Sequence, residues 1–219
     1  SIMRLNEKLN LEENRILFCS DLHYNHRNVL NLSQRPFKDV EEMNQYLIET
    51  LKSTLKPGDI IFDLGDTFWQ VKQDEVEKFF KACPENVTWY KVMGNHDKST
   101  LYYGDNNAFI KKHYKVISDR LHFNLEYKKE TCLLILSHFP ELDWHGRFRG
   151  SLMLHGHCHG HLDKLNKESG ELRVDVGFDG ELAKNYGSFL IPFEYIYDYF
   201  KGFTKECRYF NEYFNKHFK

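Results

Sequence analysis

An α/β fold, with an α+β character in its second half, is predicted from three features of the sequence. Short continuous apolar runs at Ile16-Leu17-Phe18-Cys19 and Ile60-Ile61-Phe62 have the pattern of strands buried on both faces. Val40, Met43, Leu47, Leu51 and Leu55, then Val76, Phe79 and Phe80, recur at helical spacing, so strands and helices alternate as in a parallel sheet covered by helices. Leu121 to Tyr127 and Thr131 to Ser137 are separated only by Lys128-Lys129-Glu130, the spacing of an antiparallel hairpin.

In chain order, Arg15 to Ser20 forms a strand that ends in Asp21-Leu22-His23. In extended backbone, residues two apart project to one side, so Asp21 and His23 could grip a single ion through oxygen and nitrogen. The plainer alternative is an Asp capping a turn beside a surface His. The loop from Asn25 to Phe37 brings His26-Arg27-Asn28 and Arg35-Pro36-Phe37 close to that point, and an arginine fork suits a phosphate. Asp39 caps the helix that runs from Val40 toward Pro57-Gly58. Ile60 to Leu64 then delivers Gly65-Asp66, Asp74 to Cys83 is a short helix, and Val87 to Met93 is a strand carrying Gly94-Asn95-His96-Asp97. There, Asn95 offers a carbonyl oxygen to a hard cation, and Asp97 is placed to hold His96 in one tautomer.

In the second half, the hairpin ends at His138, and a loop follows with Trp144, His145, Arg147 and Arg149. Ser151 to Leu154 runs into His155-Gly156-His157-Cys158-His159, and Leu172 to Val176 forms a further strand containing Asp175. His155 belongs with its strand and is expected to face the core. The stretch 193–219 is crowded with Phe and Tyr, and helical spacing links Tyr195, Tyr199 and Phe203, then Phe210, Tyr213 and Phe214.

Composition excludes several classes. A 219-residue chain that is 41% hydrophobic and 28% charged has the balance of a globular protein, and its length fits one domain, 1–219. A net charge of -2 creates no global attraction for nucleic acid or an anionic membrane. No apolar stretch reaches the length of a membrane span, and Ser1 to Asn14 is too polar for a signal peptide, so a cytoplasmic protein is expected. The five cysteines form no C-x-x-C pair and read as reduced thiols. Cys158 lies between two histidines, but in extended chain it would point away from them.

Strand ends thus present Asp21/His23, Asp66, Asn95/His96, His138 and His157/His159. In open α/β sheets, sites form outside the carboxyl ends of strands, so these dispersed positions are expected to converge. They are too many ligands for one ion. Two divalent ions fit better, and nitrogen and oxygen donors without a thiolate suit Mn²⁺, Fe or Zn²⁺ without choosing among them; Mn²⁺ is the first expectation, with Fe, Zn²⁺ or Ni²⁺ as alternatives. Such a pair would clamp a phosphoryl group and lower the pKa of a bridging water, while His96 protonates the leaving oxygen.

Asp21-Leu22-His23, Gly65-Asp66, Gly94-Asn95-His96-Asp97, Ser137-His138 and Gly156-His157-Cys158-His159, in this order, resemble the calcineurin-like metallophosphoesterases over about residues 15 to 200. The finer match is to their small bacterial and phage branch, through His26-Arg27-Asn28 and Arg35-Pro36-Phe37. The resemblance implies a two-sheet β-sandwich flanked by helices. It assigns Asp21, His23, Asp66 and His159 to one ion and Asp66, Asn95, His138 and His157 to the other, with Asp66 bridging. It also implies an enzyme hydrolysing phosphoric esters, the expected substrate being a small, nucleotide-like mono- or diester. His26, Arg35, His145 and Arg147 are the candidate substrate contacts. Asp175 departs from the Asn-Val-Gly expected there, which leaves its role open. Two rivals stand beside this reading: a nuclease drawing on the basic, aromatic C-terminus, and a binding module that keeps its metals without catalysis. The same C-terminal segment is a candidate oligomer contact.

Overall fold

A computed structural model describes residues 2–98, 108–201 and 203. Ile16–Cys19 (β3) pairs in parallel with Ile60–Asp63 (β4), β4 with Thr88–Val92 (β5), and β5 with Tyr114–Ser118 (β6). Ile191–Pro192 (β11) closes this five-stranded sheet, antiparallel to β3. Two helices cover its outer face: Val40–Thr54 (α2), capped by Asp39 accepting from the Glu42 amide, and Gln73–Lys81 (α3). The alternation expected for the first half is therefore present.

The second sheet is mixed and six-stranded. Its hairpin joins Arg120–Tyr127 (β7) to Glu130–Ser137 (β8), and β8 pairs in parallel with Leu152–His155 (β9), then β9 with Arg173–Asp175 (β10). The hairpin turn is tighter than the three-residue gap suggested. Lys128 and Lys129 alone form it, at φ 50° and 64°, the handedness that a two-residue hairpin turn requires. Ile2–Arg4 (β1) and Leu9–Asn10 (β2) add to β7 in parallel; with β6 and β11, they are edge elements whose apolar signal is too short to read. Smaller helices are Val29–Leu32 (α1), Ala108–Lys111 (α4), Asp163–Ser169 (α5), Glu181–Tyr186 (α6) and Phe193–Lys201 (α7).

The two sheets face one another across the main core. Ile16, Phe18, Phe62 and Tyr90 from the first meet Leu121, Phe123, Leu134 and Leu154 from the second, with the Phe62 and Phe123 rings stacked at 4.5 Å. Leu17, Cys19 and Ile61 turn the other way, against Met43, Leu47 and Phe79 of α2 and α3. Because both faces of β3 and β4 are covered, every residue in them is buried, which explains their unbroken apolar runs. Fold and sequence agree here: two mixed sheets flanked by helices.

Cys19, Cys83, Cys132 and Cys158 are free thiols, and Cys207 lies outside the described residues. So do the expected helical contacts of Phe210, Tyr213 and Phe214, and with them this part of the candidate oligomer contact. Among the described residues, no helix is long and apolar enough to cross a membrane.

Candidate metal centre

The strands of both sheets deliver polar side chains to one end of the sandwich. The turns after β3 and β4 are laced together, with the amides of Asp21, His23 and Tyr24 donating to the carbonyls of Gly65, Asp66 and Thr67 at 2.9, 3.0 and 2.8 Å. Asp21, His23, Asp66, His157 and His159 all adopt left-handed backbone, with φ between 48° and 69°. This corrects the extended geometry expected for Asp21-Leu22-His23: the pair converges because the chain coils, not because side chains alternate. The same correction removes the alternation argument about Cys158. Non-glycine residues held at positive φ cost roughly 1–3 kcal/mol each and persist where surrounding structure fixes them, commonly at functional sites.

Two groups of ligand-type atoms result: Asp21, His23 and His159, and Asp21, Asp66 and His138, the atoms of each lying within 4.8 Å of one another. Asp21 Oδ1 lies 3.8 Å from His23 Nε2, 4.0 Å from His138 Nε2 and 3.7 Å from His159 Nε2. Asp66 Oδ2 lies 3.9 Å from His23 Nε2 and 3.2 Å from His138 Nε2, so both carboxylates span the two halves. Asn95 Oδ1 sits 3.1 Å from His138 Nε2 and 3.1 Å from His157 Nδ1. All seven expected ligands therefore meet at one place. Asp21 Oδ1 and His23 Nε2 are buried without a hydrogen-bond partner, although burial of an unsatisfied polar atom is unfavourable. Divalent ions fit that deficit.

The surroundings aim these groups. His138 Nδ1 bonds the Leu64 carbonyl at 2.7 Å, and His159 Nδ1 bonds Asp179 at 2.6 Å, leaving the Nε2 atoms to face the cluster. A Cβ on Gly94 would collide with the Asp66 carboxylate, and one on Gly156 with Ser20 and Asp21, so both positions need glycine. Burial lowers the affinity of His138 for a proton, but Asp66 and Asp21 outweigh it and hold the imidazole up to about 9. Burial likewise disfavours the charged form of Asp21, yet His23, His138 and His159 pull its pKa well below the usual carboxylate range. Burial beside Asp21 pushes Asp175 up to about 7; its oxygens accept from the Gly177 and Gly160 amides, so it braces the chain around His159.

This electrostatic balance fixes a sign. In the metal-free protein, charged His138 stabilises the fold fully below its unfolded pKa of 6.5, and that stabilisation is lost as pH rises through about 9. Chelated protein is therefore expected to melt several degrees lower at about pH 9 than at about pH 7, with added divalent ion abolishing the difference. Differential scanning fluorimetry with and without chelator checks this; a chelated melting temperature flat over that range would refute it.

Several expected roles change. The Arg35 side chain is 0% exposed, pairing with both oxygens of Asp179 and donating to the carbonyls of Asp21 and Leu22 at 2.6 and 2.7 Å. Its guanidinium is spent on holding the Asp21 turn and, through Asp179, on orienting His159. A phosphate contact is ruled out by that burial. Arg35→Met should destabilise the protein by about 3–5 kcal/mol, because buried Asp179 keeps only His159 as a partner and the Asp21 and Leu22 carbonyls lose their donor; chemical denaturation measures it, and a loss under about 1 kcal/mol would contradict the assignment. His145 packs near His122, with ring centroids 6.1 Å apart, and Arg147 pairs with Glu171 and Asp143. Their loop carries Trp144 onto Ile135 and Met153 of the second sheet, which is where these two side chains are anchored. His26 does reach the site: its Nδ1 is 2.9 Å from His23 Nδ1.

Asp97 was expected to orient the His96 ring. Its Oδ2 instead receives the amides of Asp66 and Gly94 at 2.8 and 2.7 Å, and its Oδ1 lies 3.3 Å from Lys91 Nζ. Asp97 is a clasp between the two turns, while His96 projects over the cluster with its ring 5.7 Å from that of His23. Its amide donates to Asp66 Oδ1. Beneath lies a feature sequence reasoning missed: Lys91, 1% exposed, joins Asp63, Thr67 and Asp97, with Tyr114 donating to Asp63. The signal was available, since a Lys inside the apolar run Val87 to Met93 must find a buried counter-charge.

Fold and site together define the class, a two-sheet α/β protein whose strand ends can hold a pair of divalent ions. The chain belongs to the calcineurin-like phosphoesterase family, whose model matches residues 14–185. An uncharacterized protein of Methanocaldococcus jannaschii is 29% identical over 167 residues, spanning 74% of this chain and 81% of the relative. A crystal structure of a protein of unknown function from Aquifex aeolicus shares the fold, with a TM-score of 0.59 and 24% identity, over 84% of this chain and 98% of that one.

Proposed function

We propose that this phosphoesterase hydrolyses a small, nucleotide-like phosphate mono- or diester with two divalent ions, Mn²⁺ foremost, and with His96 as the general acid. The observation that carries it is the pair of partnerless buried atoms, Asp21 Oδ1 and His23 Nε2, set beside the imidazoles of His138 and His159 and the Asp66 carboxylate. Asp21, His23, Asp66 and His159 would hold one ion, and Asp66, Asn95, His138 and His157 the other. When bound, the ions would draw charge from the phosphoryl oxygens and lower the pKa of the attacking water.

The chain's own contributions are positional. Asp97 accepts the backbone amides of Asp66 and Gly94, and the Asp66 carboxylate accepts the His96 amide, so this corner is tied together and the imidazole would stand at a set place over the phosphoryl group. There it would deliver a proton to the departing alcohol, the contribution that distinguishes this reading from a metal-holding binding module. The nuclease alternative is disfavoured by the net charge of -2 and rests on the basic, aromatic stretch 193–219. The same reading takes the protein to act in the cytoplasm as a single domain over 1–219. The test is turnover of nitrophenyl mono- and diesters, nucleotides, cyclic nucleotides and short oligonucleotides by Mn²⁺-loaded protein. Turnover confined to oligonucleotides, with steep salt dependence, would replace this reading with the nuclease.

A further inference from the structure

Three rings stand in a row leading out of the metal centre. His23 stacks on His26 at 5.1 Å and 25°, and His26 stacks on Trp69 at 4.1 Å and 15°. His26 is 7% exposed, whereas Trp69, last in the row, is only partly buried. The backbone of Trp69 is fixed by its amide donating to the Tyr24 carbonyl at 2.9 Å and its carbonyl accepting from Asn25 Nδ2 at 3.2 Å. The His96 ring meets the indole edge-on, at 5.1 Å and 75°. Whatever alcohol His96 protonates therefore leaves alongside Trp69.

Across the cluster, Phe139 follows the ligand His138 directly and is 47% exposed. Its ring lies 4.5 Å from that of His157 and 5.3 Å from that of His138. A large apolar ring left in water beside a polar cluster gains free energy when a flat apolar group covers it. Two cations beneath this end of the molecule point inward: the side chains of Arg35 and Lys91 are 0% and 1% exposed and are committed to Asp179 and to Asp63 and Asp97. Aromatic rings thus flank the centre on both sides, while these two cations cannot track a polyanionic strand.

We propose that Trp69 and Phe139 determine specificity by stacking the two groups esterified to the phosphate, so that the preferred substrate is a diester of flat aromatic or nucleobase-bearing alcohols. This rests on the hydrolytic reading above and extends it from a phosphoric ester to a diester with an aromatic group on each side. In the reaction, water's oxygen bonds to phosphorus and the P–O bond to the alcohol beside Trp69 breaks. That oxygen takes the His96 proton, a water proton is returned to the protein or solvent, and the product is the monoester of the alcohol beside Phe139.

The test compares bis(p-nitrophenyl) phosphate with ethyl p-nitrophenyl phosphate, which share a leaving group and differ only in the retained one, using Mn²⁺-loaded protein at equal metal content. Wild type should favour the bis-aryl ester in kcat/KM. Phe139→Ala should reduce that preference by roughly 5- to 100-fold, mostly through KM, the range expected from the usual worth of aromatic stacking. Phe139→Tyr should restore it. Trp69→Leu should lower kcat/KM for both esters, since both release nitrophenol, and Trp69→Phe should recover most of the loss. An unchanged preference in Phe139→Ala, or no preference in wild type, overturns this inference while leaving the hydrolytic reading intact. Failure of loaded wild type to turn over any phosphate ester overturns the hydrolytic reading, and this inference with it.

Discussion

His96→Ala is expected to retain both metal ions yet slow turnover of esters with poor leaving groups by roughly 10²–10⁴-fold, the usual worth of a positioned general acid. Nothing in the seven-residue ligand set is removed by this change, and the His96 amide that bonds Asp66 Oδ1 at 2.9 Å is backbone, which alanine keeps. What is lost is the ring standing 5.7 Å from His23 over the cluster. Esters of acidic alcohols such as nitrophenol need little protonation and should suffer much less. The decisive measurement is rate against leaving-group pKa for wild type and variant at equal metal occupancy. Parallel lines would mean that His96 positions substrate or stabilises charge, and the acid would have to be another group. Asp97→Asn should not reproduce the same pattern. Its carboxylate clasps the Gly94 and Asp66 amides and faces Lys91, so its replacement should lower thermal stability and metal retention alike.

Asp21→Ala is expected to abolish binding of the ion held with His23 and His159, to weaken the other through the lost charge beside His138, and to reduce activity to background. One oxygen of Asp21 lies within 4.0 Å of three imidazole Nε2 atoms and belongs to both ligand groups. Removing it leaves Asp66 as the one carboxylate among the clustered imidazoles of the two ligand groups, so the negative charge that would attract the ions is halved. Asp66→Ala should act in the same direction, since its Oδ2 reaches both His23 and His138. His23→Ala, by contrast, touches the group containing His159 and should mainly weaken one ion. Elemental analysis after gel filtration distinguishes these outcomes. Two ions retained in Asp21→Ala would show that its carboxylate is not a ligand, and two retained in Asp66→Ala would dismiss the bridging role expected from the family resemblance.

Residue chemistry and strand endings were legible in the sequence because both are local. An apolar run such as Ile60-Ile61-Phe62 announces a strand covered on both faces, and the polar residues beginning at its end announce what it delivers. The seven candidate ligand positions, the alternation of the first half, the β7–β8 hairpin and the Asp39 cap could all be read this way. What sequence could not supply was anything decided by a distant partner. Whether Arg35 faces a phosphate or Asp179 depends on a residue 144 positions away, and whether Asp97 serves His96 or the Asp66 amide depends on one 31 positions away. The left-handed turns at Asp21, His23, Asp66, His157 and His159 are unfavourable for those residues taken singly. They exist because the turns after β3 and β4 hydrogen-bond to one another, a pairing that forms only once the sheet has brought them together. Sequence alone thus determined which atoms could hold metal, and tertiary structure decided where each atom points, because orientation is set by burial and pairing between segments far apart in the chain.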